Sequence, residues 1–465
     1  MARNIVIIGS DSIRADHCGC YGYERETTPF LSSMIDRGVR FENPIVSGLA
    51  TPNSFMGLFT GEHSTVEAHL ILPEEWRKAL NRKRTLAHVL AENEYNTYGF
   101  NTNALLSRYY GFNVGFQHYY DGLWTVSGEH KWWWKAKKFL VLPFLKRIGL
   151  AGHAINLKNL LKADIGYSRT EDWIGEVLNT KLEEPYLLWV FLVDTHHPYV
   201  PPLEYAKWGE TGTRRMIWLN YKMRRQGHGE VAAEGNKWAM AQQKFEPILS
   251  PEERDAIING YDAEILHVDA IVKQLWEHLK DTDPVFVFHS DHGDGLGEHG
   301  FYGHPPEHYE YLIRVPLVIY NSGRTGVIED PVSFLGIANT ICEIAGVDPE
   351  FAQPSLFNNS AYTPPIVSNK LNIGFRVTAR DREWKLITNP DREDELYNIK
   401  EDPLETRNLI GVEKAVEKRL RDLIEETRAT RSEQEGRRKA AGSRGPGEKS
   451  RESDRIGKLK SNGKV

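Results

Sequence analysis

Ser290-Asp291-His292-Gly293-Asp294-Gly295-Leu296-Gly297-Glu298-His299-Gly300 is the stretch that decides how this chain is read. It follows a short apolar run, Pro284 to Phe288, which reads as a buried strand. The glycines let the backbone turn sharply, and carboxylates and imidazoles crowd the turn. In an open α/β sheet, ligands bind at the C-terminal ends of strands. Asp and His gathered there suit a hard or borderline divalent metal. A solvated polar loop has a similar composition, so the rest of the chain must decide between the two.

The N-terminus repeats the pattern. Asn4 to Ile8 reads as a first buried strand and runs straight into Gly9-Ser10-Asp11-Ser12-Ile13-Arg14-Ala15-Asp16-His17. A second carboxylate, Asp11, therefore stands at a strand end. Between the two lies Thr51-Pro52-Asn53-Ser54-Phe55-Met56-Gly57-Leu58-Phe59-Thr60-Gly61, a helix start with Thr51 at the cap, Pro52 in the first turn and Gly61 at the C-terminal end. A hydroxyl at a helix N-terminus sits near free N–H groups and the positive dipole end, which favour oxyanions.

Strand and helix signals alternate from Asn4 to about Tyr320, predicting an α/β domain with a mainly parallel central sheet flanked by helices. Tyr186 to Val193 is a continuous apolar run, typical of a strand buried on both faces. Pro251 to Lys280 reads as a long helix; Tyr261, Ile265, Val268, Val272, Leu275 and Leu279 form its apolar stripe. Val315 to Tyr320 is another central strand. After Pro354 the strands shorten (Ile373 to Thr378, Trp384 to Thr388), and a closing helix covers about Val412 to Arg428. The expected division is an α/β domain over 1–353, a smaller C-terminal subdomain over 354–430, and a disordered basic tail over 431–465.

These motifs, taken in order, resemble the sulfatase family of the alkaline phosphatase superfamily. Asp11 to His17 with Gly19-Cys20-Tyr21-Gly22 is similar to the family's opening signature, and Thr28-Pro29-Phe30-Leu31 to the start of its first helix. Thr51 to Gly61 resembles the nucleophile motif C/S-x-P-S-R-x-x-L-x-T-G, matching at Ser54, Leu58, Thr60 and Gly61. His196-His197-Pro198-Tyr199, Tyr261 to Ile265, Asp291 to Gly300 and Arg314-Val315-Pro316-Leu317 follow in the family's order. Glu395 to Asn398, Asp402 to Glu405 and Asn408-Leu409 resemble its C-terminal signature.

The resemblance implies that the domain over 1–353 is catalytic, that the C-terminal subdomain is antiparallel, and that the reaction is hydrolysis of an anionic ester. Asp11, Asp291 and His292 are then the metal ligands and Thr51 the nucleophile. His196 is a candidate acid or second ligand, with Asp194 close by, and His304 a further catalytic candidate. Asp294 is expected to orient a ligating histidine, and His197 and His299 to be structural. A divalent ion, Zn, Mn or Ca, is the implied cofactor.

Departures from the family shape the chemistry. Its main members convert a Cys or Ser to formylglycine; here that position is Thr51. The motif's Pro is Asn53 and its Arg is Phe55. Its paired first Asp is reduced to Asp11-Ser12, and its Asn or Gln after the second Asp is His292. The Lys that follows the metal loop is His304, and the other sulfate-binding Lys is not evident between Tyr95 and Asn103. A Thr nucleophile beside a His ligand looks more like the phosphodiesterase, phosphotransferase and phosphomutase members. Histidine also moves the metal from Ca toward Zn or Mn.

Composition sets the compartment and partners. Of 465 residues 40% are hydrophobic, and no run approaches a membrane span. Met1-Ala2-Arg3-Asn4 leads directly into the first strand, leaving no room for a signal peptide. Three cysteines, Cys18, Cys20 and Cys342, make no disulfide framework. A cytoplasmic protein is expected, with a small or polymeric anionic ester as substrate and no nucleic-acid partner. Residues 431–465 carry a net charge of +6 in a chain of −6. Lys131 to Lys162, inside an insertion near 121–170, holds eight Lys/Arg and no acid, interleaved with Trp132, Trp133 and Trp134. That segment suits an anionic membrane surface or a lid that steers an anionic substrate; Pro143 and Gly149 break any long amphipathic helix and favour the lid.

Three functions compete: a metal-dependent ester hydrolase acting through Thr51, a membrane-associated phospho-group transferase of the same superfamily, and a non-catalytic sulfatase-like binding protein. The retained set Asp11, Thr51, Asp291 and His292 argues for the first over the last.

Overall fold

The structure is a computed structural model that describes residues 2–67, 72–122, 169–209, 211–227, 249–348, 350–358, 364–371 and 373–442. The Lys131–Lys162 segment and residues 443–465 lie outside them.

Among the described residues, ten strands precede the C-terminal region. They are β1 (Ile5–Ser10), β2 (Gly38–Ile45), β3 (Asn96–Asn101), β4 (His118–Tyr120), β5 (Tyr186–Leu192), β6 (Val285–Ser290), β7 (Gly295–Leu296), β8 (Tyr302–Gly303), β9 (Leu317–Tyr320) and β10 (Gly326–Ser333). Eight of them form one sheet in the order β10-β2-β9-β6-β1-β5-β3-β4, and β7 and β8 pair as a short hairpin. The large sheet is parallel except at β9, which runs antiparallel to both β2 and β6. Four further strands, β11 (Ile366–Leu371), β12 (Gly374–Arg380), β13 (Trp384–Thr388) and β14 (Glu395–Asn398), make a separate antiparallel sheet. This is the α/β architecture with a small antiparallel C-terminal sheet that the sequence predicts.

Every residue of β1, β5 and β6 is buried, as their unbroken apolar runs require of strands covered on both faces. Alternation sorts their side chains into two cores. Ile5, Ile7, Trp189, Val285 and Val287 pack on one face with Phe55 and Phe59 of the helix Thr51–Thr60. Val6, Ile8, Leu188, Phe286 and Phe288 pack on the other with the helix Pro251–Leu279. That helix begins with a capping box, Ser250 and Glu253 each accepting the other's backbone N–H. Its stripe from Tyr261 to Leu279 is buried throughout, and each fully buried Leu or Ile there contributes about 1.5–3 kcal/mol of transfer free energy.

Met1–Leu409 forms one compact unit and Ile410–Val465 another, so no boundary between compact units falls at 353/354. The four-stranded sheet is tied into the first unit by buried ion pairs, Lys385 with Glu310 at 3.2 Å and Arg376 with Glu307 at 3.1 Å. The closing helix runs over Lys414–Gly442, so residues 431–442 are helical where disorder was expected. Their composition cannot build a core, but Ala, Glu, Gln, Lys and Arg are strong helix formers. No helix among the described residues is long and apolar enough to cross a membrane.

Candidate active site

β1 and β6 are parallel neighbours in register, Ser10 beside Ser290. The residues that follow them, Asp11 and Asp291, therefore emerge side by side at the C-terminal edge of the sheet. Both are fully buried, as is His292. Ser12 joins the two loops: its hydroxyl donates to Asp11 Oδ1 at 2.7 Å and its N–H to Asp291 Oδ1 at 3.1 Å. To do so it adopts φ 59°, in the left-handed region that L-residues rarely enter.

These contacts leave Oδ2 of Asp11 and Oδ2 of Asp291 buried without a hydrogen-bond partner. Burial, and for Asp11 also the neighbouring Asp291 charge, pushes both carboxyl pKa values up, Asp291 to about 7. His292 completes the set. Its Nδ1 lies 3.0 Å from the carbonyl of Gly293, which makes Nδ1 the N–H donor and frees the Nε2 lone pair. Nε2 lies 3.5 Å from Asp291 Oδ2 and 3.8 Å from Asp11 Oδ1. Burial keeps the ring neutral, with its pKa down at about 4. One ligand atom from each of the three lies within 4.8 Å of the others. Two orphaned carboxylate oxygens and a neutral imidazole nitrogen, converging at one buried point, fit a divalent cation, and the nitrogen favours Zn or Mn over Ca.

Thr51 faces this set. Its Oγ1 lies 3.5 Å from His292 Nε2. The helix cap is Ala50, one residue earlier than the sequence suggested, and it supplies no side-chain cap. Thr51 is thus the first helical residue, with its hydroxyl turned toward the carboxylates. Ala50 adopts φ 75° and ψ 134°, a conformation that costs an L-residue of order 1–3 kcal/mol. Phe55, four residues on, is fully buried against Trp189 and Phe191, with ring centroids 5.2 and 4.9 Å away. The position of the motif's Arg is therefore part of the aromatic core.

A histidine group borders the set. His304 Nδ1 pairs with Asp294 Oδ1 at 2.9 Å, and its ring centroid is 4.4 Å from that of His292. Burial alone would lower the His304 pKa, but the Asp294 charge and hydrogen bond raise it. Tyr199 donates to the other Asp294 oxygen, and Asp294 is held well below the usual carboxylate range although burial opposes this, chiefly by His304. His196 stacks on His197 at 4.3 Å and lies 5.6 Å from His304. Burial, then His197, drives its pKa down to about 3, which favours a neutral ring.

His197, expected to be structural, instead forms a close set with Asp294 and His304. Asp194 turns away from the site and accepts the Thr170 N–H at 3.0 Å. His299 is stacked on Tyr309 and lies 3.0 Å from the Glu405 carbonyl. Arg14 spans the two strand-end loops, pairing with Asp16 at 2.7 Å and Glu298 at 2.9 Å. Sequence reading missed Ser12 and Tyr199 as contributors; each stands beside a named motif residue, yet nothing in its type announced its role.

The same fold recurs in known proteins. The sulfatase family model matches residues 3–347. An uncharacterized sulfatase of Escherichia coli, YidJ, is 22% identical over 451 residues, covering 88% of this chain and 83% of its own. A protein solved with its substrate D-glucosamine-2-N,6-O-disulfate superposes with a TM-score of 0.64 at 17% identity, over 92% of this chain and 98% of its own. The phosphonate monoester hydrolase of Agrobacterium radiobacter superposes with a TM-score of 0.63, also at 17% identity, over 93% and 96%. Because the family model spans most of the chain, the chain belongs to the sulfatase family of the alkaline phosphatase superfamily, whose members are ester hydrolases.

Proposed function

We propose that this protein is a metal-dependent hydrolase of phosphate esters or diesters that acts through Thr51, with sulfate esters as poorer substrates. The observation that carries this reading is the placement of Thr51 Oγ1, 3.5 Å from His292 Nε2 and at the first position of a helix. Asp11, Asp291 and His292 would hold the ion. A divalent cation there lowers the pKa of a nearby hydroxyl and withdraws charge from the transferring group.

The remaining chemistry belongs to the chain. Thr51 gives up its hydroxyl proton to solvent, and attack by its Oγ on phosphorus breaks the P–O bond to the alcohol, which leaves protonated. Water then hydrolyses the Thr51 ester, releasing phosphate from a monoester or the phosphate monoester from a diester. The helix N-terminus favours the negative charge that develops on the transferring group. His304 stands where the family carries Lys. Paired with Asp294, it retains a proton that it can give to the departing oxygen or share with the anion. His196, neutral and adjacent, orients the His197-Pro198 loop or accepts a hydrogen bond from substrate.

Neither a convertible Cys or Ser at position 51 nor an Arg at position 55 is present, which weighs against formylglycine chemistry. The test is a substrate panel of an aryl sulfate, an aryl phosphate and a bis-aryl phosphodiester, each assayed with Zn, Mn and Ca. Phosphoester turnover should exceed sulfate-ester turnover, with Zn or Mn the better metals. Efficient arylsulfatase activity with negligible phosphoesterase activity overturns the proposal.

A further inference from the structure

The approach to Thr51 is held by the four-stranded sheet. The N–H of Ser368 in β11 donates to the Ser47 carbonyl at 3.0 Å. One residue on, Asn369 grips both polar groups of Leu49. The Leu49 N–H donates to Asn369 Oδ1 at 2.7 Å, and Asn369 Nδ2 donates to the Leu49 carbonyl at 2.7 Å. Leu49 lies in an irregular segment without a strand partner, and buried backbone groups there must be satisfied by a side chain or water. The amide supplies both partners at once.

Asn369 is itself held in one orientation. His308, fully buried, places Nε2 2.9 Å from Asn369 Oδ1 and Nδ1 2.8 Å from Thr378 Oγ1. An amide oxygen only accepts, so Nε2 carries the ring proton and Nδ1 accepts from the Thr378 hydroxyl. The neutral ring this requires agrees with its burial beside Arg376, which together lower its pKa to about 3. The bonds along the chain Thr378–His308–Asn369–Leu49 therefore each run from a donor to an acceptor, and a flipped amide would set its NH₂ against the His308 N–H.

The next residue is Ala50, at φ 75°, and the next is Thr51. With Leu49 pinned on both its N–H and its carbonyl, the chain cannot relax Ala50 by turning the preceding residue. We propose that Asn369, oriented by His308, is a positioning residue that keeps Ala50 in its strained conformation and so aims Thr51 Oγ at the Asp11–Asp291–His292 set. This inference rests on Thr51 as the nucleophile.

The test compares Asn369→Ala, the double variant Ala50→Gly/Asn369→Ala, and Thr51→Ala in the full-length protein. Asn369→Ala should lower kcat by about 10²-fold, the loss that a small displacement of a reacting atom causes. KM should stay within about threefold and Mn binding by calorimetry should be kept, because neither substrate nor ligand contacts are removed. Glycine adopts positive φ without strain, so the double variant should recover much of the lost kcat. A crystal structure of Asn369→Ala should show residue 50 at negative φ and Thr51 Oγ1 withdrawn from His292.

Wild-type kcat in Asn369→Ala, or φ retained at residue 50, overturns the inference. So does a kcat loss that Ala50→Gly leaves uncorrected, since Asn369 would then only support the fold. If Asn369→Ala does not fold, the isosteric Asn369→Asp gives the same readouts, since it keeps the acceptor for Leu49 N–H and loses the donor to its carbonyl. Near wild-type turnover in Thr51→Ala removes the nucleophile reading, whereas an inactive Thr51→Ala beside a fully active Asn369→Ala removes the positioning role alone.

Discussion

Asp294 and His304 are joined at 2.9 Å beside the metal-competent set, and the carboxylate is not one of the three converging ligands. The pair keeps the His304 ring charged to higher pH than a free histidine, because the Asp294 contact outweighs burial. A raised pKa in the folded state means that the proton is present at low pH and lost as pH rises through that value. Asp294→Asn should therefore shift the basic limb of the kcat/KM profile to lower pH and cut kcat by about 10²-fold, the lower range for general acid catalysis. An unchanged profile would remove His304 as the proton carrier.

Asp291→Ala should abolish activity and bound Zn or Mn while the protein stays folded. The substitution takes away one of two orphaned carboxylate oxygens and relieves repulsion with Asp11, while the Ser12 and His292 N–H groups lose their acceptor. These effects oppose each other, so the apo-protein should still unfold in a cooperative melt. Metal content by mass spectrometry and a thermal melt check both parts. Full metal occupancy in the variant would contradict the ligand assignment.

At Thr51, alanine should reduce turnover by several orders of magnitude, whereas serine should keep measurable activity because the attacking oxygen remains. Phosphate burst kinetics and recovery of a phosphorylated Thr51 peptide from quenched enzyme distinguish covalent attack from direct attack by water. Near wild-type rates in Thr51→Ala would favour water.

His267 offers a stability test remote from the chemistry. Burial lowers its pKa, but the bond to Glu171 at 2.8 Å and the approach of Glu264 at 3.6 Å outweigh this and push it up to about 10. Its contribution is then complete below the unfolded value near 6.5 and lost as pH rises toward 10. The stability gap between wild type and His267→Gln should be widest below pH 6.5 and close by pH 10. Urea unfolding at several pH values measures it; a gap that widens with pH contradicts the assignment.

Asp11, Thr51, Asp291, His292 and His304 were legible in the sequence because each stands in a short motif where strand or helix ends could be read locally. Their convergence was not. It depends on β1 and β6 being neighbours in register, a pairing across 280 residues that no local pattern encodes. Nor did the sequence announce Ala50, whose φ is imposed on it by its neighbours and not by its own preference. Asn369 and His308 stand in strand and loop positions with no motif, and their roles arise only when the C-terminal sheet folds back onto Leu49. The long closing helix was underestimated for a different reason: hydrophobic periodicity marks the buried part of a helix, and the polar residues past Arg428 have none to show.

The aromatic packing of Phe55 bears on how this site could be re-engineered. Exchanging Thr51 for Cys would restore only one of the three departures from the formylglycine motif, since the motif also carries a Pro at position 53 and an Arg at position 55. Installing that Arg would drive a guanidinium between Trp189, Phe191 and His289, where an unpaired charge is strongly disfavoured. A return to aldehyde-based catalysis would thus have to rebuild the hydrophobic floor beneath the nucleophile helix, at several positions together, before the converted residue could be accommodated.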